Sequence, residues 1–506
     1  MNGARWILLA LITTGSARPT DAAEARPISL DDCIRLAMAY NLDLQIERLN
    51  PAMRDLDVWG GYSAYDPTFT ARYNHRYNLG IGGYDTTINT LTLGTEDNTD
   101  SGGLGLSGLF PTGGRYELMA SGSHTVGTQP APTLLDPSGR GPYRTSDANA
   151  AAATLTQPLL KNFWIDGARY SITLRKKDLK ASEFVLQSRI MQILTAVETA
   201  YYSLLAAVEQ VKVQEQALQE AEQQLRENRK RVEVGVMAPL DEKDAESQFA
   251  ASQANLLAAR KNLTLSQNAL KALVTDQYGD WADVDLQPTE SLPAVPVAFS
   301  RSDSWAKALS LRPELQAMKV ELEKRHLTLR YDRNQLYPQL DIVGSYGQSG
   351  RRGSFWDALD DMREGVGNEY SYGVVLTVPL SNRQARYNHR LAKEQLEQTL
   401  LQLKKEEQTI MHEVEDAIAE ARSSFEQIEA RRQASEFAQA AYEAKQKKLE
   451  NGKSTSFQVL VLQRQLTVRR YEEISALSAY NRALAELALK EGTTLERLGI
   501  ALTVKP

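Results

Sequence analysis

The stretch Val232–Gln248, VEVGVMAPLDEKDAESQ, interrupts a pattern that otherwise predicts one very long helix. Gly235 and Pro239 lie four residues apart, and both residue types disfavour a continuing helix. Helical patterning resumes at once and continues to about Val274. A second copy of the interruption, LENGKSTSFQVLVLQRQ, has Gly452 in the place of Gly235. The sequence therefore predicts, twice, a long helix that ends at a sharp turn and a second helix that returns from it.

The duplication extends to the segments that lead into each long helix. LDLQIERL, which begins at Leu42, aligns with PELQAMKV, which begins at Pro313, and the same offset places Pro67 on Pro338. LTQPLLKN and LTVPLSN then precede the two long helices. Landmarks that recur in the same order indicate an internal repeat. The chain is therefore divided into a signal peptide at 1–25, a first repeat at 26–274, a linker at 275–304, a second repeat at 305–495 and a C-terminal tail at 496–506.

The lengths of the predicted helices agree with one another. The two outgoing helices, at about Arg169–Val234 and Arg383–Glu450, have roughly 65 residues each and are on the order of 100 Å long. Each return helix is about half as long, and a short helix at the start of each repeat supplies the missing half. The predicted return helices are Leu240–Val274 and Phe457–Lys490, and the predicted short helices are Leu30–Tyr62 and Trp305–Leu336. The two continuous outgoing helices can therefore pair with two helical columns, each formed by a return helix and a short helix stacked end to end.

The second long helix carries a heptad pattern. Apolar residues recur every seven positions in two rows, Leu396, Leu403, Ile410 and Ala417 in one and Leu400, Val414, Ala421 and Ile428 in the other, with Glu407 as a break. Such rows form the seam of a coiled coil. From the helices alone, an ordinary coiled-coil protein is the alternative interpretation.

The predicted strands point to a membrane. FTARYNHRYN, which begins at Phe69, alternates aromatic or apolar residues with polar ones, and YSYGVVLTVPL, which begins at Tyr370, does the same. Strands of about ten residues with one apolar face are typical of outer-membrane barrels. A sheet in lipid must close, because open edges leave backbone groups unpaired, and four strands are too few to enclose a channel. The sequence thus predicts a barrel shared by several subunits, with a soluble β-domain as the alternative.

Composition excludes several classes of protein. The 506 residues include 58 basic and 64 acidic ones, a net charge of −6, without the basic face that nucleic-acid binding requires. Apolar residues make up 42%, and beyond the N-terminus no run reaches the ~18–20 apolar residues of a spanning helix. The N-terminal segment, with Arg5, WILLALI and the AEA pattern at Ala23–Ala25, is typical of a secretory signal peptide. No internal disulfide is expected, because Cys33 is the one cysteine.

Taken together, these landmarks resemble the outer-membrane efflux protein (TolC-like) family, from about Ile28 to Glu496. The resemblance depends on the duplicated order, the YDP and LYP strand starts, the QPL and VPL strand ends and the two glycine turns. It implies an α+β membrane protein, in which a long antiparallel α-helical barrel of coiled-coil helices, with internal duplication, joins a transmembrane β-barrel. A homotrimer would share that barrel, each subunit giving four of twelve strands. The resemblance also implies the outer membrane of a Gram-negative bacterium, a long periplasmic extension and no cofactor.

The function that the resemblance implies is that of a passive exit duct in a tripartite efflux pump or type I secretion system. Its partners would be outer-membrane lipid, a periplasmic adaptor (membrane fusion) protein and an inner-membrane transporter of the RND, ABC or MFS type. The residues expected to contact the adaptor are Val234, Gly235, Val236, Asn451, Gly452 and Lys453.

The resemblance also implies a lumen gate formed by side chains just past the turns, for which Asp241 and Gln458 are the candidates. Because the second repeat has Gln458 and Val461 at the corresponding places, a strong acidic ring is not expected. A solvated carboxylate in the first turn of a helix is the alternative interpretation of Asp241. Thr455 and Gln458 have the spacing of a capping box, which would restart the return helix.

One segment departs from the pattern of the family. Between Asn78 and Asn149, apolar residues on both sides of PTGG predict an extra β-hairpin near 104–124. We expect this hairpin at the extracellular end of the barrel, with added barrel strands as the alternative.

Enzymatic chemistry is not indicated. The five histidines have no metal-ligand spacing. Gly103–Gly108, GLGLSG, fits G-x-G-x-x-G, but LFPTGG follows where a dinucleotide loop would open a helix. A non-enzymatic duct is therefore favoured, and a periplasmic coiled-coil scaffold with a β-domain is the alternative function.

Overall fold

The computed structural model describes residues 25–85, 90–92, 94–130 and 140–500. The predicted signal peptide, up to residue 24, and the last six residues of the predicted tail lie outside this described part. The described chain forms two compact units. Unit 1 comprises the described residues up to Arg48, then Gln187–Pro313 and the residues from Gln408 onward; unit 2 comprises Leu49–Leu186 and Glu314–Glu407.

The helices and strands follow the duplicated order. The helices are α1 (Leu30–Tyr40), α2 (Leu42–Gly61), α3 (Gly167–Glu233), α4 (Pro239–Val274), α5 (Tyr278–Trp281), α6 (Arg301–Leu311), α7 (Pro313–Gln335), α8 (Phe355–Arg363), α9 (Arg383–Glu450), α10 (Ser456–Glu491) and α11 (Thr494–Arg497). The strands are β1 (Ala25–Ile28), β2 (Thr68–Leu79), β3 (Gly83–Asp85), β4 (Thr90–Thr92), β5 (Glu96–Leu109), β6 (Arg115–Pro130), β7 (Arg140–Pro158), β8 (Asp285–Pro288), β9 (Gln339–Arg352) and β10 (Gly367–Thr377).

The predicted long and return helices are confirmed. α3 and α9 have 67 and 68 residues, and α4 and α10 have 36 residues each. Within the described part of the chain, α3 is the helix long and apolar enough to cross a membrane by length and composition, but 67% of its apolar window is buried inside the protein. Such burial is typical of a core helix.

The prediction of one short helix at the start of each repeat is wrong, because each is broken once. Asn41 follows the last residue of α1 and Arg312 follows the last residue of α6, and both have the extended backbone angles φ −62° and ψ 121°. Pro313 disfavours a helical conformation at Arg312. The Asn41 side chain instead accepts a hydrogen bond from the Leu44 backbone N–H at 3.1 Å, which caps α2. Two different residues therefore produce the same break in the two repeats.

In unit 1, the second part of the predicted α9 seam is buried. Ile410, Val414 and Ala421 are fully buried, and Ala417 and Ile428 are nearly so. In unit 2, Leu400 of the same seam is 45% exposed. The seam prediction is thus confirmed for the part of α9 that lies in unit 1.

Unit 2 contains an antiparallel sheet of six described strands, in the order β10-β9-β7-β6-β5-β2. β5 and β6 form the predicted extra hairpin, but its expected place at the extracellular end is wrong. The Trp164 backbone N–H, just before α3, donates to the Thr112 carbonyl in the β5–β6 turn at 3.3 Å. The turn therefore lies at the end of the sheet where the chain enters α3. The hairpin adds two strands between β2 and β7, so the implied four strands per subunit is also wrong here.

The register of the sheet places apolar side chains on one face. Tyr73 pairs with Gly102, Gly102 with Gly122, and Tyr346 with Tyr370. Large, exposed apolar side chains on this face are Phe69, Tyr73, Leu104, Leu118, Leu155, Ile342, Tyr346, Tyr370, Tyr372, Val374 and Leu376. The opposite face carries Thr70, Arg72, Asn74, Ser101, Ser121, Ser123, Asp147, Ser345, Ser349 and Ser371. The predicted alternation is confirmed.

Candidate functional site at the helix turns

The two turns have the same backbone geometry. In the first, the Val236 N–H donates to the Arg231 carbonyl at 2.9 Å and the Gly235 N–H to the Val232 carbonyl at 3.0 Å. In the second, Lys453 donates to Lys448 at 2.8 Å and Gly452 to Leu449 at 3.0 Å. This pair of bonds is the Schellman motif, which satisfies the last carbonyls of a helix and needs a left-handed residue. Gly235 and Gly452, with φ of 76° and 69°, supply it.

The first turn exposes apolar side chains. Val234, Val236 and Leu240 are 70–74% exposed. The second turn is polar, with Asn451 and Lys453 exposed. The two turns therefore share a backbone conformation but differ in the chemistry of their exposed side chains.

The predicted capping box at the second turn is wrong. The Thr455 side chain makes no capping hydrogen bond. The Gln458 Oε1 instead accepts a hydrogen bond from the Ser454 Oγ at 3.1 Å. Since the hydroxyl one residue earlier holds the Gln458 side chain, that side chain does not reach back to the backbone of Thr455.

A buried amide connects both return helices to α3. Asn228, with no exposed surface, donates from Nδ2 to the Ser456 Oγ at 2.7 Å and to the Asp241 carbonyl at 3.2 Å. Its Oδ1 accepts a hydrogen bond from Gln224 Nε2 at 2.8 Å. Asn228 therefore joins the first turns of α4 and α10, where the candidate gate residues Asp241 and Gln458 lie.

Further polar contacts extend this connection between α3 and α10. Gln463 Nε2 donates to Glu220 at 3.2 Å, and Arg470 Nη1 donates to Gln216 at 3.0 Å. We call these contacts, together with those of Asn228, Gln224 and Ser456, the polar ladder. On α3 its residues recur every four positions, and on α10 every seven. That heptad of polar residues is the signal in the sequence by which the ladder could have been predicted.

Charged groups surround the ladder. On the neighbouring α9, burial, together with the nearby carboxylates of Glu220 and Glu227, raises the pKa of Tyr442 to about 12. Near Asp241, Arg229 contacts Glu246 at 3.2 Å. The hydrogen bond from Lys243 to Glu246, at 2.7 Å, holds the pKa of that carboxyl below its usual range.

The two candidate gate side chains have different environments. Asp241 is half-buried in the first turn of α4, whereas Gln458 is exposed and bonded to Ser454. In the described ranges, no group of three or more His, Cys, Asp or Glu residues could hold a metal ion.

Gly235→Ala is expected to destabilise the first turn by about 1–2 kcal/mol, because an alanine Cβ is strained in the left-handed conformation. A Cβ at Gly235 would meet nothing within 4 Å, so the cost is conformational rather than steric. Hydrogen exchange of the amides around residues 228–242 should show faster local opening. Gly235→Asn, which tolerates the conformation better, is the matched control, and equal exchange in both variants would contradict this explanation.

Comparison with known proteins defines the class. The family model described as outer membrane efflux protein matches residues 119–275 and 305–493. The chain belongs to this family. It is an outer-membrane efflux channel of Gram-negative bacteria and not an enzyme. The alternative of a periplasmic scaffold is therefore wrong.

Individual relatives have low sequence identity to this chain. The chain is 24% identical to outer membrane protein TolC of Escherichia coli over 374 residues, which cover 71% of this chain and 72% of TolC. It is 26% identical over 402 residues to the pyoverdine export outer membrane protein OpmQ of Pseudomonas aeruginosa, covering 76% of this chain and 80% of OpmQ.

Solved structures share the fold. The outer-membrane channel OprN superimposes with a TM-score of 0.66 at 16% identity, covering 92% of this chain and 90% of OprN. VceC of Vibrio cholerae gives a TM-score of 0.64 at 15% identity, covering 92% and 96%. The predicted fold, long helices with antiparallel strands, is confirmed.

Proposed function

We propose that three copies of this chain form one passive exit duct, in which the repeats at 26–274 and 305–495 supply equivalent helices. The observation that carries the proposal is the described sheet, which ends in two edge strands, β2 and β10, each paired with a described strand on one side only. These strands run in opposite directions, because the order contains six antiparallel strands. β10 of one copy can therefore pair antiparallel with β2 of the next, and closure removes edges that lipid would leave unsatisfied.

The two faces of the sheet support a position in the membrane. The apolar face exposes Tyr372 at 86% and Tyr370 at 75%, as a lipid-facing surface would. The polar face, with Arg72 and Asn74, suits a water-filled lumen. In this arrangement the barrel has eighteen strands.

A stripe on α2 supports self-association. Leu42, Ile46, Leu49, Met53, Leu56 and Trp59 recur at intervals of three or four residues, and all are 53–77% exposed. Side chains with this spacing lie on one face of a helix. An exposed apolar stripe of this length indicates a surface that another subunit covers.

The assembly is tested on the full chain in detergent. Native mass spectrometry should give three copies, and the same material should conduct ions across a planar bilayer. A polypeptide that is monomeric and soluble without detergent would contradict the proposal.

The two turns are proposed to contact a periplasmic adaptor protein, behind which an inner-membrane transporter of the RND, ABC or MFS type supplies the energy. The exposed Val234 and Val236 would pack against the adaptor, and Lys453 would pair with an acidic group on it.

Lys453→Glu is expected to lower the yield of cross-linked complex with the adaptor several-fold, since it reverses the charge at the second turn. Lys212→Glu, the same reversal at an exposed position in the middle of α3, should leave the yield unchanged. Cross-linking in whole cells measures both variants, and equal losses would show that the contact is not at the turn.

A further inference from the structure

The connection between β9 and β10 contains a helix with defined ends. The Ser354 Oγ accepts a hydrogen bond from the Asp357 N–H at the start of α8, and Gly365, with φ 71°, ends it. α8 lies at the end of the sheet opposite to α7 and α9, because it joins the far ends of β9 and β10. Under the proposed function this end is the outer rim of the barrel.

Glycines show which face of the sheet α8 covers. A Cβ at Gly350 would come within 1.9 Å of the Ala358 carbonyl, and a Cβ at Gly122 within 2.4 Å of Phe355. A strand side chain projects from the face on which it lies, so α8 packs on the face of Gly122 and Gly350. The register pairs Gly122 with Gly102 and Gly102 with Tyr73. α8 is therefore on the apolar, aromatic face and not on the polar one.

The position of α8 coincides with the end of the apolar band. Towards α7, the same face carries Leu104, Tyr346 and Tyr370. Beyond Gly102 and Gly122, on the side away from α7, this face carries Asp100, His124, Ser146 and Arg352. The helix thus covers the transition from apolar to polar surface, which in a lipid-facing wall is the level of the headgroups.

The contacts of α8 hold it on this surface. Ala358 is fully buried against the sheet, and Arg352 donates two hydrogen bonds to Asp361, at 2.7 and 2.8 Å. A cavity of about 360 Å³ remains between helix and strands, and its lining includes Tyr73, Leu104, Phe355, Leu359 and Met362. Since the lining also includes Asp100 and His124, the cavity lies at the boundary between the apolar and the polar part of this face.

The outer side of α8 combines an aromatic ring with charges. Trp356 is 72% exposed, and Asp357, Asp360 and Arg363 are exposed around it. Tryptophan is enriched where one end of a side chain meets apolar lipid and the other meets water. Because the apolar side of α8 packs on the sheet, Trp356 is the most exposed apolar side chain of this helix and the one placed to meet lipid.

We propose that α8 is an interfacial helix on the outside of the barrel, which contacts outer-leaflet lipid through Trp356. This inference rests on the proposed function, because it requires the aromatic face of the sheet to face lipid. If the aromatic face instead lined the lumen, α8 would be a plug inside the channel.

Spin labels at single cysteines in the reconstituted trimer separate these arrangements. Cys33, the one native cysteine, is fully buried, so a label reacts at the introduced site. Trp356→Cys is compared with Tyr372→Cys on the apolar face and Asn74→Cys on the polar face. We expect oxygen, which concentrates in lipid, to relax the labels at 356 and 372 several-fold more than the label at 74, relative to a water-soluble nickel chelate.

The controls distinguish failure of this inference from failure of the proposed function. A label at 356 that behaves like the one at 74, while 372 remains accessible from lipid, would overturn the interfacial helix alone. A label at 372 that also behaves like the one at 74 would overturn the orientation of the barrel.

Channel conductance gives an independent readout. A bulky, water-soluble thiol reagent on Trp356→Cys should leave single-channel conductance unchanged, whereas the same reagent on Asn74→Cys should reduce it. A comparable reduction at 356 would place α8 in the lumen and overturn the inference.

Discussion

Tyr372→Arg is expected to abolish the folded trimer in the outer membrane, whereas Ser371→Arg, one residue away, is expected to leave most of it intact. Tyr372 lies on the apolar face of the edge strand β10 and is 86% exposed. An arginine on the lipid face of a barrel costs about 2–4 kcal/mol near the middle of the membrane. Three copies of the substitution would act on one assembly, so the combined cost approaches the whole stability of a typical domain.

The control has the same new side chain in the same strand. The Ser371 Oγ lies 2.7 Å from the Ser345 Oγ on the opposite, polar face, where an arginine would reach water. The amount of heat-modifiable trimer in the outer-membrane fraction measures both variants. If Ser371→Arg were the damaging change, the assignment of the two faces would be reversed.

Asn228→Asp is expected to open the channel at rest. The substitution removes both N–H donors that hold Ser456 and the Asp241 carbonyl, and it places a carboxylate where Asn228 has no exposed surface. The Ser456 hydroxyl can donate to the new carboxylate, but the Asp241 carbonyl can only accept and loses its donor, and an unpaired buried polar group costs roughly 1–3 kcal/mol. Each ~1.4 kcal/mol changes an equilibrium constant about tenfold, so the fraction of open channels should rise by tenfold or more.

Single-channel recording in a planar bilayer measures the resting open probability. Gln223→Glu makes the same change from amide to acid on an exposed part of α3 and should behave as the unmodified protein. Trimers of Asn228→Asp that assemble normally and remain closed would show that the amide does not hold the turns.

Asp241→Ala is the companion variant, because it keeps the backbone carbonyl that Asn228 binds. We propose that the Asp241 carboxylate lines the lumen, as the family resemblance implies; this variant should then stay closed at rest but lose cation preference and sensitivity to divalent cations. Unchanged selectivity would leave Asp241 as a solvated carboxylate of the first helical turn.

We propose that the turns separate when the channel opens, and the polar ladder gives a physical reason for a low free-energy cost of this separation. Its contacts are hydrogen bonds of Gln216, Glu220 and Gln224 with polar residues of α10. When such groups separate they can bond to water, whereas a seam of leucines would lose its burial without compensation. The ladder thus allows an open and a closed arrangement to differ by only a few kcal/mol.

Several features were predictable because they depend on local physics. The periodicity of apolar residues over tens of positions predicted the ends of α3 and α9 to within two residues. Gly235 and Gly452 marked the turns, because few other residues adopt a left-handed conformation. The break at Arg312 was also visible in principle, since Pro313 follows it. The matching break at Asn41 was not, because it depends on a side chain that caps the next helix.

The sequence by itself determined the duplicated helices, the turns and the two faces of each strand, because periodicity and glycine conformation act within one segment. Only the tertiary structure decided that β5 and β6 enter the sheet between β2 and β7, that α8 covers its apolar face and that Asn228 joins α3 to both return helices. Those features depend on which distant segments pair. Strand pairing and buried hydrogen bonds are chosen by the free energy of the whole assembled surface, which no local pattern in the chain records.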